Sequence, residues 1–283
     1  MSYEGYNLLK IRVDRGVLFA TIDNPPINLL NNDLYGEFGK LAMEVSRDDN
    51  VKVIVFDSAD PDYFICHYDV TFLLQYPDEA PPRPTELHGG HQLQELYRTM
   101  PKISIAKIEG RVRGGGSEFV LSLDMRFGAI GKAILSQLEI PLGIIPGGGG
   151  TQRLPRLVGK SRAMEIVIGG GDYPAELAER YGYINRALPP EEITPFVEEL
   201  AYRIASYPAE TIAAAKKAVL LALEKPVVEG LLEEQHLFNL TCCSAAAKER
   251  MNLFLEIGGQ TREGELSVSK WVKNLNDKLE SKQ

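Results

Sequence analysis

Three short stretches carry side chains able to do chemistry. In "DYFICHYDV", residues 62–70, an apolar run ends in Cys66, His67, Tyr68 and Asp69. In "GRVRGGGSEF", residues 110–119, three glycines are followed at once by Ser117 and Glu118. In "SQLEIPLGIIPGGGGTQRL", residues 136–154, Glu139 stands in an apolar run before a second glycine cluster. Cys66 and His67 suggest a nucleophile beside its base. In an extended segment, however, adjacent side chains point to opposite faces, and catalytic dyads usually assemble from distant positions. A metal site would need more ligands. His88 and His91 lie in a polar loop without paired cysteines or a helical HExxH pattern, and they read as solvated.

The glycines 114–116 let the backbone approach a ligand closely. The helix start after them offers free N–H groups and a positive dipole end, which suit a developing negative oxygen. Glu118 in that first turn fits either an acid/base role or a plain carboxylate at a helix N-terminus. Glu139, if buried among Leu138, Ile140, Leu142 and Ile144, would be pushed toward a useful acid/base range; the alternative is an exposed edge residue. Two familiar motifs fail. "VGKSRA" has Leu154 where a phosphate loop needs glycine, and "GGGSEF" has Phe119 where a nucleophile elbow needs one.

These stretches must be positioned by the rest of the chain. Residues 8–22 read as a hairpin, "NPPIN" breaks the strand, and Asn31 or Asn32 caps a helix to about Ser46. "VKVIVFDS" and "KISIAKIEG" read as buried strands, with a loop at 77–91 and a helix around "QLQELYRTM" between them. Beyond residue 160 the pattern is helical apart from a strand at "YINRAL", with long helices at about 191–206, 209–224 and 227–257 and an amphipathic stretch at 266–282. Strand–turn–helix units followed by helices indicate an α/β fold with a helical C-terminal part. The chain has 283 residues and a net charge of −8, which argues against nucleic-acid and anionic-membrane partners. Three cysteines, two of them adjacent, are no disulfide framework. With no basic-then-apolar leader and no apolar run near the roughly 20 residues needed to span a bilayer, a cytoplasmic location is expected.

On these residues the sequence resembles the crotonase, or enoyl-CoA hydratase/isomerase, superfamily over nearly its whole length. "GRVRGGGSEFVLSLDMRFGA" and "LEIPLGIIPGGGGTQRLPRLVGKSRAMEI" are similar to the family's two main signatures, and "DYPAELAERYGYINRALP" matches a third stretch. The resemblance implies a crotonase-like spiral of ββα units over 1–205 and a C-terminal helical trimerisation region over 206–283, forming a homotrimer or homohexamer. It implies an acyl-CoA thioester as substrate, with coenzyme A entering as part of it and no permanently bound cofactor or metal. "FICHYDV" falls on the family's first signature, so Tyr68 and Gly115 would be the oxyanion-hole amides. Cys66, His67 and Gly114 would line the thioester, and Glu118 and Glu139 would be the acid/base pair.

The implied reaction is reversible hydration of a trans-2-enoyl-CoA to a 3-hydroxyacyl-CoA. Double-bond isomerisation, thioester hydrolysis or decarboxylation, and silent acyl-CoA binding are the alternatives. His67 replaces a glycine of the family pattern, which narrows the passage and could bring an imidazole into the site. Arg111 and Arg113 stand where the family has uncharged residues, and a buried arginine there needs a partner, either a substrate carboxylate or a protein acid. Arg153, Arg156, Lys160 and Arg162 could meet CoA phosphates or form a solvated helix face.

Overall fold

The computed structural model describes residues 2–267. All but the first two residues of the amphipathic stretch 266–282 lie outside that range. The described chain divides into two compact units, Met1–Ala205 and Ser206–Gln283.

The first unit opens with the hairpin strands β1 (Leu9–Asp14) and β2 (Val17–Ile22), paired antiparallel. Helix α1 (Asn32–Ser46) follows, capped by the Asn31 side chain, which accepts from Leu34 N at 2.9 Å. A unit then recurs in which one strand joins a large sheet, the next joins a small sheet, and a helix returns the chain. Its first instance is β3 (Val53–Ser58), β4 (Tyr63–Ile65), α2 (Val70–Leu73) and α3 (Gly89–Thr99). The second is β5 (Ile103–Ile108), β6 (Arg111–Arg113) and α4 (Gly115–Ser122). The third is β7 (Met125–Ala129), β8 (Ile134–Ser136), a 3₁₀ turn at Ile140–Leu142, α5 (Gly150–Val158) and α6 (Lys160–Gly169). Strand β9 (Tyr173–Pro174), α7 (Ala175–Tyr181), β10 (Arg186–Leu188) and α8 (Pro190–Ala205) complete this unit. The large sheet runs β1-β2-β3-β5-β7-β10, parallel from β2 onward, and the small one β4-β6-β8-β9. This is the spiral of ββα units that the sequence resemblance implies.

Strand alternation builds two cores. Leu18, Ala20, Ile22, Ile54 and Phe56 face α1 and α4, where Phe38 stacks on Phe119 with ring centroids 4.4 Å apart. Val17, Phe19, Val53 and Val55 face the other way, onto Ile193, Val197 and Ala201 of α8. Gly116, in the first turn of α4, packs directly against β4. A methyl group there would stand 2.6 Å from Ile65 Cγ2 and 2.8 Å from Ile65 O. Gly116→Ala is therefore expected to cost about 1–3 kcal/mol of stability, read as a lower urea midpoint with an unchanged slope.

The second unit holds α9 (Ala209–Leu221), α10 (Val227–Cys242), α11 (Ala245–Glu256) and α12 (Arg262–Glu265). The single helix expected over 227–257 is two helices. Ser244 breaks it, since its side chain accepts from Ala247 N and starts α11 as a cap. The helix expected at 92–100 begins earlier, at Gly89, because the His88 ring caps it by accepting from Gly90 N and His91 N. The strand expected over 183–188 is confined to Arg186–Leu188. No described helix is long and apolar enough to cross a membrane.

Candidate active site

The loop after β4 is shaped by a residue that sequence reasoning passed over as part of a strand breaker. Asn28 is buried, with φ of 48°, and its Nδ2 donates to Ser58 Oγ, Tyr63 O and Phe64 O. Its carbonyl accepts from Cys66 N at 3.3 Å. Two residues on, Leu30 bridges Tyr68 in parallel: Leu30 N–H donates to His67 O, and Asp69 N–H donates to Leu30 O. In such a bridge the middle residue turns its own amide to the opposite edge. Tyr68 N–H thus faces away from Leu30. Asp69 caps α2 by accepting from Thr71 N at 2.9 Å, which makes it a brace of the loop.

Gly115 begins α4, so its N–H belongs to the unpaired first turn of the helix. A methyl group on Gly115 would stand 3.0 Å from Tyr68 Cβ and 3.6 Å from Tyr68 N. The start of α4 and the Tyr68 amide therefore lie side by side. Gly114 makes the turn that allows this, with φ 49° and ψ −126°, a combination that favours glycine.

Both glutamates are buried, Glu118 at 3% and Glu139 at 7% exposed. Burial pushes Glu118 up, while Gly148 N–H and Gly150 N–H, each donating to its Oε1 at 2.8 Å, pull the other way. These donors come from the second glycine cluster, which was legible only as a glycine-rich run. Glu139 is raised to about 7, by burial first and then by the charge of Glu118, with His67 opposing. Its Oε2 is buried and has no hydrogen-bond partner among the described residues. A methyl group on Gly114 would stand 3.0 Å from Glu139 Oε1 and 3.7 Å from His67 Cβ, which gathers Glu139, His67 and the glycine turn at one point.

This elevated carboxyl has a stability consequence. Folded Glu139 holds its proton more tightly than the unfolded chain does, so its contribution is fully present below about 4.5 and lost as pH rises to about 7. Glu139→Gln is expected to be more stable than the native chain at pH 8, by at most about 3 kcal/mol, and to match it near pH 4. Urea unfolding at the two pH values reads the difference.

The fold accounts for two departures from the family pattern. His67 does not require a glycine conformation, since the non-glycine residues with positive φ among the described residues are Arg15, Asn28 and Gln260. β4 ends at Ile65, so strand alternation no longer separates Cys66 from His67, and the Cys66 side chain helps to raise the His67 pKa. Arg113 has a protein acid as partner: its Nε and Nη2 meet Asp172 Oδ1 and Oδ2 at 3.0 and 2.6 Å. Arg111 lies over the Tyr63 ring. The proposed basic group is broken up. Arg153 turns inward, donating to Gln94 Oε1, Glu95 Oε1 and Gly148 O, so it braces the glycine cluster and does not reach for phosphate.

Sequence reasoning also missed Gln94, Gln137 and Tyr183. Gln94 and Gln137 are fully buried. Gln137 Oε1 and Glu118 Oε1 would both stand 3.1 Å from a methyl group on Gly150, and Gln137 Nε2 lies 3.5 Å from the Tyr183 hydroxyl. Their polarity gave no signal, since only the fold turns them inward. Among the described residues no group of three or more His, Cys, Asp or Glu is placed to hold a metal ion.

Known proteins share this arrangement of sheets and loops. The sequence profile described as Enoyl-CoA hydratase/isomerase matches residues 12–262. A Dictyostelium discoideum protein described as a probable mitochondrial enoyl-CoA hydratase is 41% identical over 238 residues, covering 84% of this chain and 84% of its own. A crotonyl-CoA hydratase of Syntrophomonas wolfei is 31% identical over 257 residues, covering 90% of this chain and 96% of its own. The crystal structure of an enoyl-CoA hydratase from Bacillus anthracis superposes with a TM-score of 0.81 at 26% identity, over 88% of this chain and 96% of that one. A profile match over most of the length, on a spiral that brings two glycine turns and two buried glutamates together, places this chain in the enoyl-CoA hydratase/isomerase family.

Proposed function

We propose that the protein is a lyase that reversibly hydrates a trans-2-enoyl-CoA to a 3-hydroxyacyl-CoA. The observation that carries this reading is the pair of buried glutamates beside two neighbouring amides, with one carboxylate gripped by glycine N–H groups and the other raised to about 7. In this reading the thioester oxygen accepts from Tyr68 N–H and Gly115 N–H. Water adds to C3 as Glu118 takes its proton, and the π electrons move onto the thioester oxygen as an enolate. The enolate collapses by taking a proton at C2 from Glu139. The proton on Glu118 then restores Glu139, directly or through solvent. Cys66, His67 and Gly114 line the thioester side of the site, and coenzyme A arrives and leaves as part of the substrate.

Unit 206–283 is assigned to assembly as a homotrimer or homohexamer. The apolar side chains of Leu223, Val227, Leu231, Phe238 and Leu240, all more than half exposed in the single chain, support this assignment. Sedimentation at micromolar concentration tests it, and a monomer would refute it.

The test of the reaction is a panel of saturated, 2-enoyl, 3-enoyl and carboxylated CoA thioesters read by mass spectrometry. Gain of one water on the 2-enoyl member alone is expected. Conversion of the 3-enoyl member without water gain would assign isomerisation, which Glu139 alone could perform. Loss of the acyl group or of carbon dioxide would assign hydrolysis or decarboxylation.

A further inference from the structure

One titratable group in the site has no part in the hydration described above. His67 is half-buried, and its Nδ1 lies 2.8 Å from Tyr68 O. A carbonyl only accepts, so Nδ1 carries the hydrogen in this contact and Nε2 is the nitrogen that titrates. The ring is thereby fixed in tautomer and direction by the same residue whose N–H faces the oxyanion space. His67 Cβ and Glu139 Oε1 lie against the same face of Gly114, at 3.7 and 3.0 Å from a methyl group placed there. Glycine at 114 puts no side chain of its own between them, and among the described residues Glu139 Oε2 is buried without a hydrogen-bond partner.

Other charged and titratable groups surround the pair. Glu118 and the Tyr183 hydroxyl share the field of Glu139. The Cys66 side chain and Asp69 face His67, and both favour its charged form. Arg113, near Cys66, is neutralised by Asp172.

We propose that His67 is a third proton-handling group of this site, an imidazolium beside Gly114 whose charge makes Glu139 give up its proton more readily. Loss of a proton from either member then changes the affinity of the other for its own, so the pair titrates as a unit. For turnover, the pH range is set by the pair and not by Glu139 alone. This kinetic consequence rests on the hydration reading; the pairing itself does not.

Histidine ring titration by NMR on the substrate-free protein decides the pairing. His88, His91 and His236 serve as internal references, and His67→Gln assigns the His67 signal. In Glu139→Gln the His67 midpoint is expected to move down, with the other three unmoved. A His67 role limited to bracing Tyr68 O predicts no movement, and an unmoved midpoint overturns the proposal. The kinetic half is read in His67→Gln, where the limb of the kcat profile that reports Glu139 is expected to move to higher pH. An unmoved limb overturns that half. A shifted midpoint in a protein that hydrates no enoyl-CoA would refute the hydration reading and leave the pair standing.

Discussion

Glu139→Gln lowers kcat for hydration of a trans-2-enoyl-CoA by about 10²–10⁴-fold, and Glu118→Gln by a similar factor; these are the largest effects the account expects. Glutamine keeps the volume and the hydrogen-bonding shape of each side chain but can neither take nor deliver the proton. The two losses have different origins. At Glu118 the neutral amide keeps one acceptor for Gly148 N–H and Gly150 N–H, so the glycine cluster holds its place while the base is gone. At Glu139 the proton donor is removed from a position where burial keeps it protonated up to about 7. The double variant should fall little below the worse single one, because the residues act on one proton path. Rates measured at saturating substrate, with circular dichroism to show intact folding, check both. Native-like turnover in both single variants would remove the glutamates from the mechanism.

The second large effect concerns the amides. Gly115→Ala places a methyl group 3.0 Å from Tyr68 Cβ and 3.6 Å from Tyr68 N, so the Tyr68 loop must give way and carry its amide out of place. Gly115 lies in a helix and does not have positive φ, so alanine suits its backbone and the fold should survive. The expected loss is about 10²–10³-fold in kcat, the scale of one oxyanion donor. Gly116→Ala, one residue along, collides instead with Ile65 and should act on stability. The contrast between neighbouring glycines separates a binding defect from a packing defect.

Much of this was legible in the sequence because it is local. The hairpin at 8–22, the Asn31 cap and the glycine-triplet helix start follow from alternation, capping chemistry and glycine's freedom, and the structure has all three. What was not legible depends on contacts distant along the chain. Asn28 looks like a turn residue until β4 comes alongside it. Arg153 looks like a surface cation until Gln94 and Glu95 of α3 face it. The second glycine cluster shows its use only when Glu118 reaches it. The helix expected over 227–257 failed for a local reason, since the capping power of Ser244 outweighed the continuous apolar pattern. For His67 the sequence raised the question of an imidazole in the site; the carbonyl it meets, and the glutamate that lies with it against Gly114, came from the fold.

The central claim is that these two glutamates add water across an enoyl-CoA held on two amides. Its most direct test is a single turnover of a trans-2-enoyl-CoA in oxygen-18-labelled water, with mass analysis of the thioester. The expected product is a 3-hydroxyacyl-CoA carrying the heavy oxygen, formed by the native protein and not, on the same timescale, by Glu118→Gln or Glu139→Gln. A thioester recovered without label, whether unchanged or isomerised, would contradict it.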